Sequence, residues 1–144
     1  RTYSIYKYQL TMVEGDSITE QDLVLGWEII LESYDTSIEH GHKVRPIQFL
    51  IQYIMDHNYN KVLFAGSSLF DLLISVPSNG RIAYTKTLRI KYNEQQTDIF
   101  EFMYHNGARD ARTKDNLKWS TKCQATETID TFKLFLIENP SFMN

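Results

Sequence analysis

The first feature of the sequence that could carry chemistry is a run of carboxylates near its start. Between Lys7 and Lys43 the chain has no Lys or Arg, but it has eight Asp and Glu residues. The whole chain carries a formal charge of only −3, so the excess of negative charge is local. A local acidic surface attracts a basic partner and repels nucleic acid. The eight residues are Glu14, Asp16, Glu20, Asp22, Glu28, Glu32, Asp35 and Glu39.

Five of these carboxylates form the predicted partner-binding surface. On a helix that starts near Ile18, Glu28 and Glu32 lie four residues apart and face the same side. Like charges at this spacing destabilise a helix by roughly a few tenths of a kcal/mol per pair. We expect side chains that are exposed, grouped on one face and unpaired with the protein's own Lys and Arg. A solvated, acid-rich helix face is the competing interpretation. The predicted binding residues are Glu20, Asp22, Glu28, Glu32 and Asp35.

A second group of candidate residues lies between His105 and Cys123. Two arginines and a histidine in this segment could hold and protonate an anionic substrate. The alternative function is therefore a small enzyme or ligand-binding domain with a site near His105, Arg109, Arg112 and Trp119. An exposed polar loop is the competing interpretation of the same residues. The sequence isoelectric point of about 5.8 argues against a dedicated nucleic-acid-binding protein.

The motifs of metal binding and nucleophilic catalysis are incomplete in this sequence. His40-Gly41-His42 has no third ligand at a suitable spacing, so neither a metal nor another cofactor is predicted. The segment from Ala65 to Leu69 lacks the second glycine of a serine nucleophile elbow. Cys123 is the only cysteine, and we expect it to be buried and unreactive. These observations favour a binding protein over an enzyme.

Hydrophobic spacing predicts the elements that position these residues. Ser17-Ile18-Thr19-Glu20 has a capping-box pattern that starts a helix, and Pro46 suits the first position of a second helix. Gly66-Ser67-Ser68 indicates a bend or bulge between two strands, and residues 106–117 read as an exposed loop. The predicted elements are a strand at 2–13, helices at 18–33, 46–57 and 126–139, and strands at 61–65, 70–76, 81–92 and 97–105.

This order predicts an α+β fold, in which an antiparallel sheet of four or five strands has about three helices packed mainly on one face. With 144 residues the chain fits one domain, spanning residues 1–144. No apolar stretch approaches the ~20 residues of a membrane span, and the start of the chain has no signal-peptide pattern. A single cysteine fits a reducing cytoplasm. The predicted core residues are Ile90, Tyr92, Ile99, Phe102, Phe132, Phe135 and Leu136.

In its size, its acidic segment and its lack of a catalytic motif, the chain resembles the immunity proteins that neutralise bacterial toxins. Some of those proteins cover the cationic active site of a nuclease with carboxylates. The resemblance implies a small cytoplasmic bacterial protein that binds and inhibits a basic protein, for example a nuclease toxin. It rests on composition and element order, so no residue roles are carried over. An adaptor protein of another role has the same features.

Overall fold

The computed structural model describes residues 13–107 and 116–144. In these ranges, three α-helices and a five-stranded antiparallel sheet confirm the predicted α+β fold. Residues 2–12 of the strand predicted at 2–13 lie outside the described residues, and Val13 is not in a strand. The helices are α1 (Glu20–Glu39), α2 (Arg45–Asp56) and α3 (Thr128–Glu138), and the strands are β1 (Phe64–Ser68), β2 (Asp71–Ser75), β3 (Lys86–Tyr92), β4 (Ile99–Asn106) and β5 (Leu117–Gln124).

The sheet is a meander in which each strand pairs with the next one along the chain, in the order β1 to β5. Leu72 pairs with Ile90, and Ile90 pairs with Phe102 in the next strand. These three side chains are fully buried and lie in one row on the core face. Arg89 and Met103 pair in the neighbouring row, on the outer face, because successive side chains of a strand point to opposite faces.

The helix α1 begins and ends later than the sequence predicts. Thr19 is the N-cap, and its side chain and that of Asp22 form the capping box, two residues further on than the pattern suggested. Ser17 takes no part in the cap because it forms a bridge with Arg81, which keeps its backbone extended. Tyr34 continues the buried side of the helix beyond Ser33, so the helix runs on to Glu39.

Two hydrogen bonds fix α1 beside the edge strand β1. The indole nitrogen of Trp27 donates to the carbonyl oxygen of Leu63 at 2.8 Å, just before β1 begins. The hydroxyl of Tyr34 donates to the carbonyl oxygen of Phe70 at 2.8 Å, just after β1 ends. Both aromatic side chains are buried. The helix therefore follows the strand, and the position of its C-terminal half is tied to the turn between β1 and β2.

The helix α3 closes the core. Phe132 and Phe135 are fully buried, as the sequence predicts, and so are Ile90 and Phe102. The other three predicted core residues, Tyr92, Ile99 and Leu136, are half-buried. The hydroxyl of Thr128 donates to the carbonyl oxygen of Pro46 at 3.0 Å and joins the start of α3 to the start of α2.

Two local predictions are wrong. Gly66, Ser67 and Ser68 form no bend or bulge but pair regularly with β2, and the chain reverses at Leu69 and Phe70. The strand β5, which begins at Leu117, was not predicted at all. Its core-facing positions include the polar Thr121, which weakens the apolar alternation that marks a strand. None of the helices in the described part of the chain is long and apolar enough to cross a membrane.

Candidate docking surface

Four carboxylates lie on the side of α1 that faces away from the core. They are Glu28, Glu32, Asp35 and Glu39, and we call them the acidic stripe. Spacings of four, three and four residues keep them on one helix face, opposite the buried side chains of α1. At 1.5 Å per residue the stripe extends about 17 Å along the helix. Three of the five predicted binding residues therefore share one face.

The residues of the stripe differ in their exposure and in their contacts with the rest of the described structure. Asp35 and Glu39 are exposed, whereas Glu28 and Glu32 are half-buried. Asp35 accepts a hydrogen bond from the side-chain amide of Gln48, on α2. Within residues 13–107 and 116–144, no Lys or Arg forms an ion pair with Glu28, Asp35 or Glu39. Negative charge at these three positions is therefore not neutralised by the described cations.

The two remaining predicted residues lie elsewhere on α1. Glu20 is exposed in the first turn, where a negative charge complements the helix dipole. Asp22 has a structural contact, since its carboxylate accepts a hydrogen bond from the backbone N–H of Thr19 at 2.9 Å. Asp22 is half-buried and lies well round the helix from Glu28. Glu39, which follows Asp35 by four residues and lies on the same face, was not among the predicted binding residues.

The turn between β1 and β2 lies at the same end of the molecule as the C-terminal half of α1. The ring of Phe70 packs on His42, with 4.1 Å between ring centroids, and on Tyr92 at 5.8 Å. Burial raises the pKa of Tyr34 far above its usual range, and the nearby carboxylate of Asp71 adds to the effect. Tyr34 therefore stays protonated and keeps donating its hydrogen bond to Phe70.

A partly buried ion pair joins β2 and β3 at this end. The carboxylate of Asp71 accepts hydrogen bonds from the Arg89 side chain and from the backbone N–H of Tyr92, both at 2.9 Å. Arg89 is half-exposed, and Asp71 is almost fully buried. The pair holds β2 and β3 in register at the outer face of the sheet.

Of the four residues of the alternative site, the structure describes two, His105 and Trp119, and they lie on different faces of the sheet. Trp119 pairs with Tyr104 on the core face of the sheet, and its indole N–H donates to Glu138 at 2.9 Å. His105 follows Tyr104 directly, so it lies on the opposite face. Arg109 and Arg112 lie outside the described residues. The sheet thus separates the histidine from the tryptophan.

The single cysteine and the remaining histidines have local contacts. Cys123 is half-buried, and burial raises the pKa of its thiol, which makes the reactive thiolate scarce. The Nδ1 atoms of His40 and His57 lie 2.8 and 2.9 Å from the backbone carbonyl oxygens of Thr36 and Tyr53. In the described ranges, no group of three His, Cys, Asp or Glu residues could hold a metal ion.

Two clefts lie near the turn that connects β3 to β4. One, of about 450 Å³, is lined by Lys91, Glu101 and Lys122 on the outer face of the sheet. The other, of about 420 Å³, is lined by Lys43, Arg45 and Asp98 among other residues. Both clefts carry charges of both signs, so neither selects one class of ligand by charge.

Comparisons of the chain with protein-family models, curated proteins and solved structures give no significant match.

Proposed function

We propose that this protein binds a basic protein partner through the acidic stripe of α1. The observation that supports the proposal is the presence of four carboxylates, two exposed and two half-buried, on the side of one helix that faces away from the core, in a segment that lacks Lys and Arg. The repulsion between these charges does not help the helix to fold. Their charge does supply a field that accelerates encounter with a cationic surface.

The class of partner that fits best is a cationic protein whose active site the stripe would block. A nuclease is one such protein, because the groups that hold phosphates in its active site are positively charged. A row of carboxylates about 17 Å long would lie across such a site as a nucleic-acid strand does. We therefore propose an inhibitory role of the antitoxin type, and a bacterial cytoplasm as its place of action.

Charge reversal on the stripe tests the proposal. Replacing Glu28 and Glu32 with Lys should lower the association rate with the partner by about tenfold or more, because the attractive field is reversed. Raising the salt concentration should slow the wild type strongly and the E28K/E32K protein only weakly, because salt screens exposed charges. Stopped-flow measurements at two salt concentrations, with the partner captured from the cell that makes this protein, give these rates.

The matched control reverses two exposed carboxylates outside the stripe. Asp56→Lys together with Asp130→Lys changes the net charge by the same amount, and both residues are exposed at helix ends. The control should associate at a rate much closer to that of the wild type. Equal rates for the wild type, the stripe variant and the control at both salt concentrations would show that the stripe is only a solvated helix face.

A further inference from the structure

The turn between Ser78 and Arg81 contains a pair of residues that is chemically unstable in water. Two asparagines of the chain, Asn79 and Asn106, are followed by glycine. In an Asn-Gly pair the backbone nitrogen of the glycine can attack the side-chain carbonyl carbon of the asparagine, because glycine has no side chain that hinders the approach. Asparagine is one of the thermolabile residues of proteins. The surroundings of the two pairs differ in ways that bear on this reaction.

The pair Asn79-Gly80 forms the centre of a tight, exposed turn. Both residues have a positive φ, of 52° and 70°, as a two-residue turn between antiparallel segments requires. Ser78 and Arg81 exchange two backbone hydrogen bonds around the pair, of 2.9 and 3.0 Å. Among the described residues, the Gly80 N–H and the Asn79 side chain have no hydrogen-bond partner. In this part of the structure, no hydrogen bond has to break before the Gly80 nitrogen can react.

The second pair, Asn106-Gly107, is held more firmly. Asn106 is the last residue of β4, is half-buried and pairs with Lys86 of β3. The backbone N–H of Gly107 donates to the carbonyl oxygen of Thr85 at 2.9 Å, so the nitrogen must give up this bond before it attacks. The side chain of Asn116 lies against the glycine, since a Cβ at this position would be 2.5 Å from the Asn116 Cγ atom. The fold therefore restrains the reacting groups of this pair.

We propose that Asn79 is a site of spontaneous deamidation in the folded protein and that Asn106 is protected. The Gly80 nitrogen attacks the side-chain carbonyl carbon of Asn79, the C–N bond of the side-chain amide breaks, and ammonia leaves with the proton of the Gly80 N–H. Water then opens the resulting succinimide ring at either of its carbonyl carbons and gives aspartate or isoaspartate, each with one new carboxylate. In isoaspartate the main chain runs through the former side chain and is longer by one carbon atom. This inference does not depend on the proposed function.

The turn also holds the segment that leads into α1. The carbonyl oxygen of Gly80 accepts a hydrogen bond from the backbone N–H of Ile18 at 2.9 Å, and Ser17 forms a bridge with Arg81. Thr19, the N-cap of α1, follows directly. A longer main chain cannot keep the two-residue geometry in which both turn-closing hydrogen bonds form. Isoaspartate at position 79 should therefore loosen the attachment of Ile18 and, with it, the start of α1.

Incubation of the purified protein at mildly alkaline pH, followed by protease digestion and mass spectrometry, tests the proposal. Deamidation replaces an NH2 group with OH, so each site is followed by the change in mass of its own peptide. In the folded protein Asn79 should react at least about tenfold faster than Asn106, because the second site must first break a hydrogen bond beside a paired strand. In urea, where both pairs are exposed, the two rates should be similar.

Two outcomes would overturn the assignment of the site. One is an equal rate at Asn79 and Asn106 in the folded protein, and the other is no reaction at Asn79 in the folded protein during the time in which it reacts in urea.

The Asn79→Asp protein is the control for the consequence, since it carries the new charge without the longer main chain. The amide hydrogen of Ile18 should exchange with solvent faster in the isoaspartate fraction than in the N79D protein or the wild type, while the amides of β3 exchange as before. Unchanged exchange at Ile18 would overturn the proposed effect on the start of α1.

Discussion

At the scale of single residues, Leu69 is placed against its own conformational preference, because its backbone φ is 57°. A left-handed backbone costs an L-amino acid other than glycine roughly 1–2 kcal/mol, and asparagine is among the residues that bear this conformation best. We therefore expect L69N to raise the free energy of unfolding by about 0.5–1 kcal/mol. Urea denaturation of the wild type and the variant measures the change. A lower stability of the L69N protein would mean that the leucine contributes to the fold after all.

Turn chemistry explains why the position of this turn could not be predicted from the sequence. Gly66 and the two serines carry the usual signal of a reversal, whereas Leu69 and Phe70 carry the signal of a strand. The chain reverses at Leu69 because Phe70 then reaches His42, Tyr92 and the hydroxyl of Tyr34, which come from distant parts of the sequence. Long-range contacts of this kind leave no local signal.

At the scale of elements, Asp22 differs from the carboxylates of the acidic stripe because it has a structural role in α1. Its side chain completes the capping box with Thr19. Replacing Asp22 with Ala should lower the free energy of unfolding by about 0.5–2 kcal/mol, because the N-terminal amide loses its acceptor. Glu20→Ala removes an equal charge from the same turn without touching the box, so it should change stability by less than about 0.5 kcal/mol. Equal losses in the two variants, measured by thermal unfolding, would show that charge rather than capping matters here.

Helical periodicity predicted part of the candidate surface, and the rest could not be predicted from the sequence. Glu28, Glu32 and Asp35 share a face on any helix that contains them, and the structure places them on one side of α1. Asp22 departs from that face because its position in the first turn gives it a capping role. Glu39 was not predicted, although α1 runs on to Glu39; the Tyr34 hydroxyl that holds this half of the helix donates to Phe70, 36 residues away in the sequence. Their role in binding remains a prediction.

The strand β5 also could not be predicted from its local sequence. Its residues alternate between half-buried and exposed along its whole length, as an edge strand with one covered face requires. In the sequence, however, Lys118 and Lys122 resemble the cations of the preceding segment, and Thr121 interrupts the apolar positions. The strand is stabilised by its pairing with β4, which the local sequence does not show. In this pairing Phe100 lies opposite Cys123, and Tyr104 lies opposite Trp119.

At the scale of the whole molecule, Phe132, whose burial was predicted from the sequence, joins several elements. Phe132 of α3 is fully buried and packs edge-on against Tyr59 at 5.7 Å and Tyr53 at 6.4 Å. Tyr53 belongs to α2, and Tyr59 to the short 3-10 helix that leads towards β1. The same side chain therefore joins the last helix to the segment that precedes the sheet. Removing the Phe132 ring should therefore destabilise the whole fold and not α3 alone.

Replacing Phe132 with Ala should lower the free energy of unfolding by about 3–5 kcal/mol, because the lost ring leaves a cavity that its neighbours fill only in part. For a chain of this size, that loss corresponds to a melting temperature lower by about 10 °C or more. Leu134→Ala is the control, since Leu134 lies two residues further along α3 and is 44% exposed, and it should change stability far less. Calorimetry should show one cooperative transition shifted as a unit in the F132A protein. An unchanged melting temperature, or a separate early transition confined to α3, would show that this helix does not close the core.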